Sequence, residues 1–191
     1  MTGLECRLAR ELAALDAKGR LRAPGARRGI DVSSNDYLGL AAHPALRERV
    51  QRALSEGVPV GASGSRLLSG NHPAHEALEQ AFARFMGGDR AALLFNSGYD
   101  ANLAVLSTLP TRHDVLLLDA LVHASIKEGA RASFAQKVTY PHNDLEALER
   151  LLARHAQADR DVFVVAESLY SMDGDFAPLE ALDTLAARYG A

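Results

Sequence analysis

Residues 115–140 read VLLLDALVHASIKEGARASFAQKVTY. The stretch opens on a continuous apolar run, VLLLD at 115–119, passes through a helical pattern over 122–132 and closes on a second short run, KVTY at 137–140. Apolar runs too short for helices and bounded by turn residues read as strands buried on both faces. Helices between such strands make the sheet mostly parallel. The same rhythm extends outward in both directions: ALLFN at 92–96 precedes a helix over 98–109, while a helix over 144–156, VFVVAE at 162–167 and a helix over 178–189 follow. The fold class is therefore α/β, with helices flanking a mostly parallel sheet whose ligands sit at the carboxyl ends of the strands.

Upstream of residue 91 the texture differs. Leu4, Leu8, Leu12 and Leu15 recur at helical spacing and predict a first helix. Pro24, Gly25 and Gly29 break that pattern before a short extended piece at 30–32 and a loop, SSNDYLGL at 33–40. Pro44 opens a helix through Ser55, which Gly57 and Pro59 end. A glycine- and serine-rich loop beginning GASGSR at 61–66 then leads to a helix opened by Pro73, with Leu78, Phe82 and Phe85 as its apolar stripe. We divide the chain into an N-terminal helix and extended segment, 1–45, and a partial large domain, 46–191. The last helix has just reached Gly190, a common helix stop, and the alternation predicts a strand next. The expectation is that the large domain is incomplete.

Composition narrows the function classes. The 191 residues are 48% hydrophobic and 24% charged, which is ordinary for a globular domain, and the formal net charge of -3 gives no general attraction to nucleic acid or an anionic membrane. Cys6 is the only cysteine, so neither an intrachain disulfide nor a cysteine-based zinc site can be built. The first twenty residues carry charges throughout, unlike a signal peptide, and the apolar runs fall far short of the roughly 20 residues of a membrane helix. A cytoplasmic protein is expected, with neither a nucleic acid nor a membrane as partner.

Three segments place chemistry-bearing residues at strand ends. In FNSGYDAN at 95–102 the chain turns through Ser97 and Gly98 into a helix, whose free N–H groups and positive dipole end form an anion site; a plain N-cap and tight turn explain the same residues. In DALVHASIKEGAR at 119–131, His123 follows a strand, where an imidazole can stack on a planar ligand, move a proton or hydrogen-bond a loop. Lys127, one helical turn on, reads as a surface lysine. In AESLYSMDGDFAPL at 166–179, Glu167 and Ser171 emerge at the end of a strand, and Asp173 and Asp175 read as turn residues rather than a metal pair. His72 and His75 beside Pro73 read as helix-start chemistry, and no metal site is expected. GASGSR lacks the spacing of a dinucleotide fingerprint.

In order, SSNDYLGL, GASGSRLLSGNHPAHEALE at 61–79, FNSGYDAN, DALVHASIKEGAR, HND at 142–144 and ESLYSMDGDFAPL at 167–179 resemble the motifs of the α-oxoamine synthases. These fold-type I pyridoxal-phosphate (PLP) transferases condense an amino acid with an acyl thioester. The resemblance implies a PLP site in which Ser97, Gly98, Tyr99 and Asn102 surround the phosphate end, His123 stacks on the ring, and Glu167 and Ser171 line the pocket. It further implies substrate contacts at Arg22, Asn35, Ser65 and His123. ESLYSMDGDFAPL looks like the branch that joins L-alanine to pimeloyl-CoA or pimeloyl-ACP, with decarboxylation, in biotin synthesis. The 2-amino-3-ketobutyrate ligase, serine palmitoyltransferase and 5-aminolevulinate synthase branches share the motifs and stand as alternatives.

The family also needs a cofactor-anchoring lysine, which serves as its base, and a DEAH-like stretch that pairs with the pyridine nitrogen. Neither motif is found here; the lysines are Lys18, Lys127 and Lys137, none in a matching context. The resemblance therefore implies a half-site that is inactive alone, as a split-enzyme subunit or a non-catalytic remnant. It also implies a homodimer or dependence on a C-terminal half, and an unpaired sheet edge that favours aggregation.

Overall fold

The computed structural model describes residues 2–25, 29–156 and 159–191. They form two compact units, Met1–Gly70 and Asn71–Ala191. The boundary drawn at 45/46 from the sequence separates segments by role, and it stays an expectation.

In the first unit, helix α1 (Gly3–Ala17) starts at a capping box in which Thr2 and Glu5 satisfy each other's backbone N–H groups. Its predicted stripe is present, but Leu4, Leu8, Leu12 and Leu15 are all exposed. Helix α2 (Pro44–Ser55) begins, as expected, with Pro44 behind the cap His43. The glycine-rich loop folds back on itself, since the N–H groups of Leu68 and Gly70 both donate to the Ser65 carbonyl. A Cβ on Gly70 would collide with the Gly64 backbone, so this turn requires glycine.

The second unit holds helix α3 (Pro73–Phe85), helix α4 (Gly98–Thr108), strand β1 (Val115–Asp119), helix α5 (Ala124–Ala132), strand β2 (Gln136–Tyr140), helix α6 (Leu145–His155), strand β3 (Val162–Val165) and helix α7 (Leu179–Tyr189). The sheet order is β2-β1-β3 and both pairings are parallel, with Val115 opposite Gln136 on one side and Val162 on the other. Every residue of β1 is buried, as a central strand covered on both faces must be. Strand alternation sorts its side chains. Leu116 and Leu118 join Leu106, Ile126 and Ala130 from α4 and α5 in one core, while Val115 and Leu117 join Leu148, Leu152 and Leu185 from α6 and α7 in the other.

Asp114 ties the amino ends of these strands together. Its carboxylate accepts the N–H groups of Thr111 and Asp161, and its carbonyl accepts that of Gln136. Those backbone donors hold the carboxyl below its ordinary range.

One expected strand did not form. Residues 91–95 carry no strand assignment, Leu93 and Leu94 are exposed, and the Leu94 N–H donates to Glu79 Oε1 instead of to a ladder. An apolar run becomes a strand only when a neighbour's backbone pairs with it, and among the described residues none does. The segment still delivers the chain to the start of α4.

Candidate functional site

The carboxyl ends of β1, β2 and β3 and the starts of α4 and α5 carry most of the residues singled out by sequence. Ser97 caps α4: its hydroxyl accepts the Asp100 N–H and donates to the Asp100 carboxylate. Gly98 opens the helix with open space where a Cβ would stand, and Tyr99 is about half-exposed behind it. His123 caps α5, its Nδ1 accepting the Ser125 N–H at 3.1 Å.

The two helix starts are joined by side chains. Asn102, one turn along α4 from Gly98, donates from Nδ2 to Ser125 Oγ at 2.9 Å, and that hydroxyl lies 2.7 Å from His123 Nδ1. Gly129 makes this approach possible, because a Cβ there would stand 2.8 Å from the Asn102 carbonyl oxygen and 3.0 Å from Leu106 Cβ. Asn102 therefore works through Ser125 on His123, and its amide nitrogen is already engaged.

Glu167, just beyond β3, accepts the His123 N–H at Oε1. Ser171 is exposed on the following turn. Arg22, Asn35 and Ser65 belong to the first unit, where all three are exposed; Ser65 Oγ accepts the Leu67 N–H. Lys137 donates from Nζ to the Ser133 carbonyl, near the amino end of β2 and away from these strand ends.

A second cluster was not assembled by sequence reading. His142 places Nδ1 2.8 Å from Asp119 Oδ1 and Nε2 2.8 Å from Asp175 Oδ2. Asn143, at φ 54°, donates its N–H to Asp119 Oδ2 and its amide to Asp175 Oδ2. The Tyr170 ring meets the imidazole edge-on at a centroid distance of 4.4 Å. Burial pushes the Asp119 carboxyl up, but hydrogen bonds from the N–H groups of Asn143 and Leu121 and from His142 outweigh it and leave it below the usual range. The hydrogen bond to Asp119, then that to Asp175, raises His142 above an ordinary histidine. Burial pushes the Tyr170 phenol up to about 12.

Asp175 is thus more than the turn residue expected from sequence. The signal was modest: HND follows the end of β2, but its partners lie 23 and 33 residues away along the chain. His72 and His75 do serve the start of α3, where each Nδ1 accepts a backbone N–H in a capping box. Among the described residues no group of three metal-ligating side chains converges, and no helix is long and apolar enough to cross a membrane.

Residues 27–191 match the family described as aminotransferase class I and II. The chain belongs to that family. Among its relatives, the 8-amino-7-oxononanoate synthase of Geobacter sulfurreducens is 49% identical over 165 residues, which cover 86% of this chain and 41% of that protein. The enzyme of the same name from Chlorobaculum parvum is 45% identical across 98% of this chain and 52% of its own length. Among solved family structures, a serine palmitoyltransferase from S. paucimobilis holding PLP and myriocin superposes with a TM-score of 0.85 at 30% identity, over 100% of this chain and 52% of that one. The 8-amino-7-oxononanoate synthase of Francisella tularensis gives a TM-score of 0.64 at 29% identity, over 82% of this chain and 42% of that one. The chain spans about half the length of the relatives it matches. The fold is that of fold-type I PLP transferases, a parallel sheet flanked by helices, as the motifs implied.

Proposed function

We propose that this chain forms the phosphate-binding and ring-facing part of a PLP site, in a cytoplasmic enzyme that condenses an amino acid with an acyl thioester. The observation that carries the reading is the junction of α4 and α5: Asn102 and Ser125 bring the start of α4, opened by Gly98, beside the loop of His123. Unpaired N–H groups at a helix start suit a phosphate, and a histidine at a neighbouring helix start suits a planar ring. Bound there, PLP supplies an electron-withdrawing ring that activates the amino acid α-carbon.

The chain's own residues bind and orient. The Ser97–Tyr99 backbone receives the phosphate, His123 faces the ring, and Glu167 fixes the His123 backbone from just beyond β3. Arg22, Asn35 and Ser65 are assigned to the substrates, together with His123. Alanine and a pimeloyl thioester are the favoured pair, on the strength of relatives named 8-amino-7-oxononanoate synthase. The likeness to serine palmitoyltransferase favours a second acceptor pair, serine and a long acyl thioester. None of Lys18, Lys127 and Lys137 stands in a matching context, so we assign the anchoring lysine to a part of the enzyme outside these 191 residues, without which they do not complete the reaction.

Equilibrium dialysis tests the binding claim. PLP should bind at least about tenfold more tightly than pyridoxal, about 1.4 kcal/mol, because only PLP carries the phosphate. Gly98→Asp should abolish that preference: its carboxylate repels the phosphate, while its Cβ enters open space and an acid suits a helix start. Borohydride treatment of the complex should label no single lysine. Equal affinity for both ligands, or specific labelling of Lys18, Lys127 or Lys137, would refute the assignment.

A further inference from the structure

His142 touches none of the residues assigned to the cofactor, yet it ties together the segments that carry them. Each ring nitrogen faces a carboxylate oxygen at 2.8 Å. A carboxylate has no proton to give, so each ring nitrogen must donate, and the ring carries both protons. From Asp119 the contacts continue forward, because Oδ1 also accepts the Leu121 N–H and so holds the loop that leads to His123. From Asp175 they run into the turn after β3, where the Asp175 carbonyl accepts the Tyr170 N–H and the Tyr170 hydroxyl accepts the Glu167 N–H. Glu167 closes the circuit on the His123 N–H.

We propose that His142 is a positioning residue: its imidazolium, clamped between Asp119 and Asp175, locks the turn bearing Glu167 and Ser171 to the loop bearing His123. It serves the cofactor site by virtue of the function proposed above, but the clamp is a property of the protein without ligand. Asp119 from β1, Asp175 and Tyr170 from the turn, and Asn143 beside the ring are the polar groups that face it. The two carboxylates outnumber the single cation, so charge balance favours the protonated ring. Among the described residues Asp175 Oδ1 is buried without a hydrogen-bond partner, so releasing His142 would leave this carboxylate still poorer in donors. Because the folded state raises the histidine above its unfolded value, the clamp's contribution is fully present below the unfolded pKa and is lost as pH rises through the folded one.

Nitrogen-15 histidine spectra of the 191-residue chain, taken from about pH 5 to about pH 9 to span the ordinary histidine range, read this directly. The His142 ring should keep both protons to a higher pH than free histidine, and the His123 backbone amide should shift with the same midpoint. Asp175→Asn preserves side-chain volume and leaves Asp119 in place; it should move both midpoints down together. His142→Gln should remove the pH response of the His123 amide. If His142→Gln fails to fold, the Asp175→Asn shift decides. A His142 ring that titrates like free histidine, or a His123 amide indifferent to it, overturns the proposal. Failure to bind PLP at any pH would count against the proposed function and leave this readout intact.

Discussion

Ser125 is 1% exposed and bonded on both sides. The N-cap bond gives the relay its direction, since His123 Nδ1 accepts the Ser125 N–H and is therefore the unprotonated nitrogen. The Ser125 hydroxyl then donates to the same nitrogen and accepts from Asn102, which puts the proton of the neutral His123 ring on Nε2. Ser125→Ala strips Asn102 Nδ2 of its acceptor in a half-buried site. It should lower the unfolding free energy by about 1–3 kcal/mol in urea titration, with Ser125→Thr retaining much of the difference. An alanine variant as stable as the parent would show that the relay contributes nothing. Sequence alone exposed His123, because an imidazole directly after an apolar run stands out. It concealed Ser125 and Asp119, because a serine inside a helix and an aspartate closing a strand have no distinguishing pattern. Their roles come from partners more than twenty residues away.

Among the elements, the rhythm of short apolar runs and helices was legible because burial on both faces leaves an unbroken hydrophobic string, as in β1. The run at 92–96 has the same texture and forms no strand, since pairing depends on a neighbour that no local pattern encodes. Glycine spacing likewise gave no hint that Gly129 sets the distance between α4 and α5. A Cβ there would press on the Asn102 carbonyl and on Leu106, which is part of the core. Gly129→Ala should gain a little helix propensity and lose more to overpacking, for a net cost of about 1–3 kcal/mol. The strain falls where Asn102 meets Ser125, so the variant should also weaken PLP binding. Urea midpoints and dialysis on the same preparation check both effects. A stabilised variant with unchanged PLP affinity would mean that the helices can separate without disturbing the site.

For the whole molecule, the decisive feature is how differently the two sheet edges are protected. The outer edge of β2 presents Gln136, Lys137 and Thr139, polar residues that discourage further pairing. The outer edge of β3 is VFVV, uncharged, with Val162 buried and the other three only partly so, and among the described residues no strand lies on its outer side. Apolar side chains are also exposed in both units, including Ile30, Val32, Leu67 and Leu68 in the first and Leu93, Phe134 and Phe176 in the second. An unprotected parallel edge, together with exposed apolar surface on each unit, favours association over a lone monomer. Sedimentation velocity at micromolar concentration should therefore show the chain self-associating, with the associated fraction rising with concentration. Val164→Lys places a charge on the β3 edge, and its long stem can leave the half-buried site for water. It should raise the monomer fraction while far-ultraviolet circular dichroism keeps its helical signal. A parent chain that sediments as one monomeric species and melts in a single cooperative transition would show that the β3 edge needs no partner.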